Sequence, residues 1–148
     1  MDAERAAVRA ANLAFYRAFE ALDLAAMERL WAHDASASCL HPGWPLCAGW
    51  PAVRASWETI FANTATMRFE LADERIDVCG ALSWVVCVER IRSTGADGDA
   101  MIGAVIATNV FRNEDGAWKL VHHHGSPHVP QRTHQPPPPP APPGGSGV

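Results

Sequence analysis

Near Asn63 the hydrophobic pattern of this chain changes its period. Before that point apolar side chains recur every three or four residues; after it they alternate. Val8, Ala11, Phe15, Ala18, Phe19 and Leu22 form one helical stripe over residues 2–22. Asp23 is placed to cap a second, short helix with Leu24, Met27, Leu30 and Trp31 on one side. A third helix starts at Trp50-Pro51, proline suiting a first turn, and carries Val53, Trp57, Ile60 and Phe61. One strand, 35–40, interrupts the helices. Past Asn63, Met67, Phe69 and Leu71 alternate, Ile76 and Val78 resume the alternation, and 81–91, 101–112 and 118–125 read as further strands. Cys79-Gly80, the Gly/Asp-rich stretch 93–99 and Asp115-Gly116 supply the turns. This order predicts an α+β fold: a curved antiparallel sheet, hairpin-linked, with three N-terminal helices packed on one face. A curled sheet closed by helices is a cone, and its mouth is a natural pocket.

The bulk properties narrow the function classes. With 148 residues, 48% of them hydrophobic, the chain can build one core without staples. A net charge of -4 and the lack of any basic cluster argue against nucleic acid and membrane surfaces as partners. No apolar run is long enough to span a bilayer. Met1-Asp2-Ala3-Glu4-Arg5 opens acidic and helical, without a secretory pattern, so a cytoplasmic location and reduced thiols at Cys39, Cys47, Cys79 and Cys87 are expected. The domain is read as 1–128. The segment 129–148, with five prolines at 136–140, reads as a disordered proline-rich tail. No phosphate loop, dinucleotide fingerprint or nucleophile elbow occurs, so no organic cofactor is expected.

Polar residues among apolar ones mark the candidate site. His41 sits where the first strand meets the rigid loop His41-Pro42-Gly43-Trp44-Pro45, at the expected mouth of the cone. There it can serve as a general base or as a structural residue bonded to loop backbone. Glu89 ends the apolar stretch 82–88 and shares a strand face with Val85 and Cys87. A carboxyl so placed has a raised pKa, unless an arginine such as Arg90 or Arg92 pairs with it. Asn109 lies in a strand of Val, Ile, Ala and Phe, and a buried amide must find partners. In His122-His123-His124, strict alternation puts His122 and His124 on the face of Trp118 and Leu120, read as the inner one. Cys39 and His41 share a face, and with the histidines would offer zinc-compatible ligands, but nothing fixes their spacing and no metal centre is expected. Trp44 is read as a pocket residue on a lid, Trp84 and Trp118 as core, and Tyr16, Trp57, Cys39, Cys87, Asn109 and His122 as pocket residues.

Three local patterns carry a resemblance. They are Phe15-Tyr16-x-x-Phe19 with Leu22-Asp23-Leu24 and Leu30-Trp31-x-x-Asp34-Ala35; His41-Pro42-Gly43-Trp44 with Gly49 and Ser56-Trp57; and Ala107-Thr108-Asn109-Val110-Phe111 with Gly116-x-Trp118-Lys119-Leu120-Val121-His122. Over about residues 5–128 the chain resembles the nuclear-transport-factor-2-like superfamily in its SnoaL-like branch. The resemblance implies the cone. It leaves open isomerase, hydrolase, cyclase, dehydratase and plain binding roles. Ketosteroid isomerases of this fold use a tyrosine and a neutral aspartic acid against an oxyanion, with a second aspartate as base. Here the tyrosine's position falls on Phe15, one residue before Tyr16, a slip that turns a side chain by about 100°. The base falls near Cys39 or His41, and the neutral acid near Thr108. None of the three groups matches, which argues against that mechanism unless His41 replaces the base. The resemblance implies a small-molecule enzyme (isomerase, cyclase or hydrolase) for an apolar substrate, and the polar residues among apolar strand positions point to His41 as base with help from Glu89 or His124. The alternative is a ligand-binding or homodimerisation module, pairing through an outer sheet face drawn from Val85, Val105, Ile106 and Val110.

Overall fold

Each helical stripe forms a helix. In the computed structural model, which describes residues 2–128, α1 spans Asp2–Ala21, α2 Leu24–Leu30 and α3 Trp50–Ala62. The first helix ends in a left-handed Leu22 (φ 52°), with Leu22 N–H donating to Phe19 O and Asp23 N–H to Ala18 O. That paired closure satisfies two terminal carbonyls and turns the chain directly into α2. The Asp23 carboxylate caps α2 by accepting from Ala26 N–H at 3.0 Å. In α3 proline stands in the first turn, where its missing N–H costs nothing.

The strands are β1 Ser38–Leu40, β2 Cys47–Ala48, β3 Thr64–Cys79, β4 Leu82–Gly95, β5 Ala100–Glu114 and β6 Ala117–Pro127, in sheet order β2-β1-β6-β5-β4-β3. The strand expected at 35–40 is shorter because Asp34 captures its start, its carboxylate accepting from Ser36 N–H and its carbonyl from Ala37 N–H. β1 then runs parallel to β6, Ser38 opposite His122 and Leu40 opposite His124. The curved sheet is therefore mixed, not wholly antiparallel, and it does not close on itself.

Two bulges decide which side chains face inward. On β3 the register shifts between Ala72 and Arg75, with Asp73 at φ 53°. One added residue moves Ile76 and Val78 back onto the face of Phe69 and Leu71. On β6 the shift falls between the pairs Val110–His122 and Phe111–Leu120, leaving Val121 as the extra residue. The core lies between the helices and the concave face, built on Val8, Phe15, Trp31, Trp57, Phe111 and Leu120. Trp57 is wholly buried against Phe15 and Phe19, and truncating it would cost about 3–5 kcal/mol. Of the four residues offered for the outer face, Val85 and Val105 are core residues on the inner one; Trp84, expected in the core, is 38% exposed on the outer face. Strand alternation explains both, since Ser83, Val85, Cys87, Glu89 and Ile91 form one buried row and Trp84 lies between two of them. The proline-rich tail lies outside the described residues.

Candidate active site

Besides Ser83 near the start of β4, the inner rows of β4 and β5 carry Glu89 and Asn109, which apolar neighbours surround. Glu89 is 4% exposed and Asn109 fully buried. Glu89 has no arginine partner among the described residues; Arg90 points outward to Glu70 at 3.1 Å. What meets Glu89 is Tyr16 from α1, whose hydroxyl donates to its carboxylate at 2.5 Å. Burial raises the Glu89 pKa to about 7, the Tyr16 hydrogen bond opposing the shift. The carboxyl therefore exchanges its proton near neutral pH.

Asn109 fixes the orientation of the groups around it. Its Nδ2 donates to Asn12 Oδ1 at 2.8 Å and to the Tyr16 hydroxyl oxygen at 3.2 Å. Asn12 uses its own Nδ2 toward Glu74, so its oxygen is free to accept. With both amide hydrogens used, Asn109 Oδ1 is an acceptor, and His123 Nδ1, at 2.6 Å, must be the donor. That sets the His123 tautomer and leaves Nε2 with a bare lone pair. Burial, reinforced by the other histidines, holds the His123 pKa well below the usual imidazole value, so the ring is neutral. The Tyr16 hydroxyl proton is committed to Glu89, so the Cys87 thiol, 3.5 Å away, is a donor to the same oxygen. Burial pushes the Cys87 thiol up to about 11, which makes it a hydrogen-bonding group and not a nucleophile.

His41 follows the same logic on the opposite wall. Ser56 donates its hydroxyl proton to Val53 O at 2.6 Å and can only accept from His41 Nε2, at 2.9 Å. Nδ1 is then an acceptor, with Cys39 Sγ 3.7 Å away. Desolvation lowers the His41 pKa to about 4. Cys39 Sγ lies 3.3 Å from Nε2, yet burial drives the Cys39 thiol far upward, so no thiolate–imidazolium pair forms. Trp57 meets the His41 ring edge-on, with centroids 4.6 Å apart.

Three of these groups border one cavity of about 380 Å³ at the open end of the sheet. Its polar points are His41, Glu89 and His123; Phe19, Ile60, Met67, Phe69 and Ile91 make its apolar wall, and Trp44 and Pro42 stand at its loop side. No lysine or arginine borders it. A hollow of about 490 Å³ between α1 and α2 has only Arg17, Asp23 and Arg29 as charged groups, all exposed to solvent.

Of the residues singled out in the sequence, His41, Glu89 and Trp44 border the cavity. Tyr16, Cys39, Trp57, Cys87 and Asn109 are buried directly behind its wall. His122 and His124 are not cavity residues. The Val121 bulge turns both to the outer face, where His124 is exposed and His122 bonds Ser38 through Nδ1 at 2.7 Å. The middle histidine, His123, is the one that enters. Nothing in the local sequence marks that bulge. Asn12 and Ser56 were also overlooked, although Asn12 interrupts the α1 stripe four residues after Val8 and four before Tyr16, a readable sign of a buried amide. Among the described residues no group of three or more His, Cys, Asp or Glu is placed to hold a metal ion, and no helix is long and apolar enough to cross a membrane.

Known proteins share this architecture. A crystal structure from Streptomyces avermitilis, provisionally named a dehydratase of the NTF2-like family, is 37% identical, with a TM-score of 0.82 over 87% of this chain and 99% of that one. A Thiobacillus denitrificans protein, provisionally named a calcium/calmodulin-dependent protein kinase type II association domain, is 32% identical over 82% of this chain and 94% of its own, with a TM-score of 0.72. F-box protein SKIP8 of Arabidopsis thaliana is 28% identical over 120 residues, 81% of this chain; the chain spans about half of that relative, 49%. The model of the family described as SnoaL-like domain matches residues 8–130. The inward row of the sheet, the cone and these matches agree that the chain belongs to the SnoaL-like domain family of the NTF2-like fold.

Proposed function

We propose that this domain is an acid–base enzyme that moves a proton next to a carbonyl, in a dehydration or isomerisation of a small, uncharged, largely apolar compound. The observation that carries this reading is Glu89, a carboxyl on the cavity wall whose pKa of about 7 suits it both to take and to return a proton. Its basicity exceeds that of either histidine, so the role expected for His41 passes to Glu89. His41 Nδ1 and His123 Nε2 are neutral acceptors, which suits them to hold substrate hydroxyl groups. With no cation bordering the cavity, an anionic substrate would be desolvated without compensation beside Glu89.

In the dehydration, ionised Glu89 removes the proton on the carbon beside the carbonyl, and the C–H electron pair becomes that of an enolate. The enolate re-forms its carbonyl and expels the β-hydroxyl, which leaves as water with the proton that Glu89 returns. Where the enolate is conjugated with a second double bond, returning the proton to its far carbon, and not to the one it left, gives isomerisation. The name borne by the Streptomyces relative supports the first outcome. The test uses β-hydroxycyclohexanone and cyclohexanone in deuterium oxide. Deuterium should enter beside the carbonyl, cyclohexenone absorbance should rise with the hydroxy ketone, and Glu89→Gln should abolish both. Exchange at the buffer rate, or unchanged in Glu89→Gln, would defeat the proposal.

A second reading concerns the outer face. Trp84 and Ile106, 38% and 40% exposed, stand there with Val110. We infer that a second copy of the chain covers them, as bulky apolar groups on an open sheet face favour. The relative named an association domain is consistent with that. The two readings coexist, because the cavity opens on the other face.

A further inference from the structure

We propose that Cys39 and Cys47 are a redox modification site, joining in a reversible disulfide when a peroxide reaches the cavity mouth. The two are Cα partners across β1 and β2. Directly opposed residues on antiparallel strands point to the same face. Gly49 N–H donates to Ala37 O at 2.7 Å, which makes that rung of the ladder a hydrogen-bonded one. Rungs alternate, so Cys39 and Cys47, two residues on, also form a hydrogen-bonded rung. Such rungs set the Cα atoms about 5.5 Å apart, inside the roughly 4.4–6.8 Å that a disulfide spans. Both thiols are free. Cys47 is half-buried and packs on the core, its thiol donating to Pro45 O at 3.7 Å; Cys39 is fully buried. Cys47 is also near enough to add to the upward push on the Cys39 thiol.

The unequal exposure orders the chemistry. The Cys47 sulfur, reached first, attacks a peroxide oxygen; the O–O bond breaks, giving a sulfenic acid and one water. The Cys39 sulfur then attacks the Cys47 sulfur, the S–O bond breaks, and a second water leaves with the Cys39 proton. Two thiols are oxidised by two electrons, hydrogen peroxide is reduced, and two waters form. A thiol reductant reverses the step by exchange. The bond closes 40–46 into a short loop that holds His41, Pro42 and Trp44, three residues bordering the cavity. It also draws Cys39 Sγ away from its 3.3 Å contact with His41 Nε2. Oxidation thus acts on the cavity mouth whether or not the site is catalytic.

The full chain is tested in a Cys79→Ser background, because Cys79 is exposed and would cross-link copies. It is treated with hydrogen peroxide, unfolded, alkylated with iodoacetamide and digested with trypsin. No Lys or Arg lies between Arg29 and Arg54, so one peptide carries both cysteines. It should run two hydrogen masses light, take up no iodoacetamide, and regain both thiols with dithiothreitol. In Cys47→Ser, Cys39 should remain alkylatable after the same treatment. Cys47 advancing to sulfinic or sulfonic acid while Cys39 stays free would overturn the proposal. The His41 ring resonances should shift on oxidation; a disulfide that leaves them unmoved would overturn the link to the cavity.

Discussion

His123 and His124 are chain neighbours with opposite surroundings. His123 is 2% exposed, donates to Asn109 and belongs to the cavity wall. His124 is exposed on the outer face, its ring centroid 6.1 Å from that of His122. The same contrast runs along β4, where Glu89 is buried against Tyr16 and Arg90, the next residue, pairs with Glu70 in solvent. On the inner face Glu89, Asn109, His41 and His123 are each held by a specific partner, because burial takes water away as the alternative. The partners therefore dictate tautomer, proton position and pKa. On the outer face water serves instead, and the pairs contribute little. The proposed chemistry uses the inner face, and the proposed association the outer one.

The largest expected effect breaks the inner side of this contrast. Glu89→Gln keeps the shape and removes the proton carrier, so turnover of the hydroxy ketone should fall by about 10²–10⁴-fold. The same change should stabilise the fold at alkaline pH. The folded pKa of Glu89, about 7, is raised from 4.5, so its stabilising contribution is present below 4.5 and lost as pH rises through 7. At pH about 8 denaturant unfolding should find the variant more stable by about 2–3 kcal/mol. A variant less stable than the parent there would contradict the buried carboxyl. His41 acts in the opposite direction: its folded pKa, lowered from 6.5 to about 4, contributes stability above 6.5 that is lost as pH falls toward 4.

Next in size is the removal of the hub. Asn109→Leu strands His123 Nδ1–H and Asn12 Oδ1 without partners, at a cost of about 2–4 kcal/mol by chemical denaturation. It should also release the His123 tautomer, seen as mixed protonation of Nδ1 and Nε2 in nitrogen-15 spectra. A single unchanged tautomer would separate Asn109 from that role. Tyr16→Phe is milder. It removes a hydrogen bond that favours ionised Glu89, so the midpoint of the rate rise with pH should move upward. On the outer face, Trp84→Glu should shift light scattering from dimer to monomer without loss of turnover. His124→Ala should be the smallest change, within about 0.5 kcal/mol of the parent. A large loss there would return His124 to the inner side.

The fold was legible because its signals are periodic. Helical stripes and strand alternation reflect which faces meet the core, and they placed all three helices and the four long strands. Glu89 and Asn109 were legible for the same reason, since each is a polar residue in the buried row of an uninterrupted strand. His123 was not. A bulge is one extra residue, and Val121 is as ordinary in a regular strand as in a bulged one. Counting alternation across it exchanges the two faces, which is how His122 and His124 were read inward. The partnership of β1 with β6 was hidden for a related reason: a three-residue strand has too little pattern to show its direction.

The proposed chemistry requires Glu89 to titrate near neutrality inside the folded domain. Carbon-13 NMR of its side-chain carboxyl, followed across pH and assigned by its loss in Glu89→Gln, measures that directly. The midpoint should lie near 7. A midpoint at the ordinary 4.5 would mean a solvated carboxylate, and the acid–base reading of the cavity would fall with it.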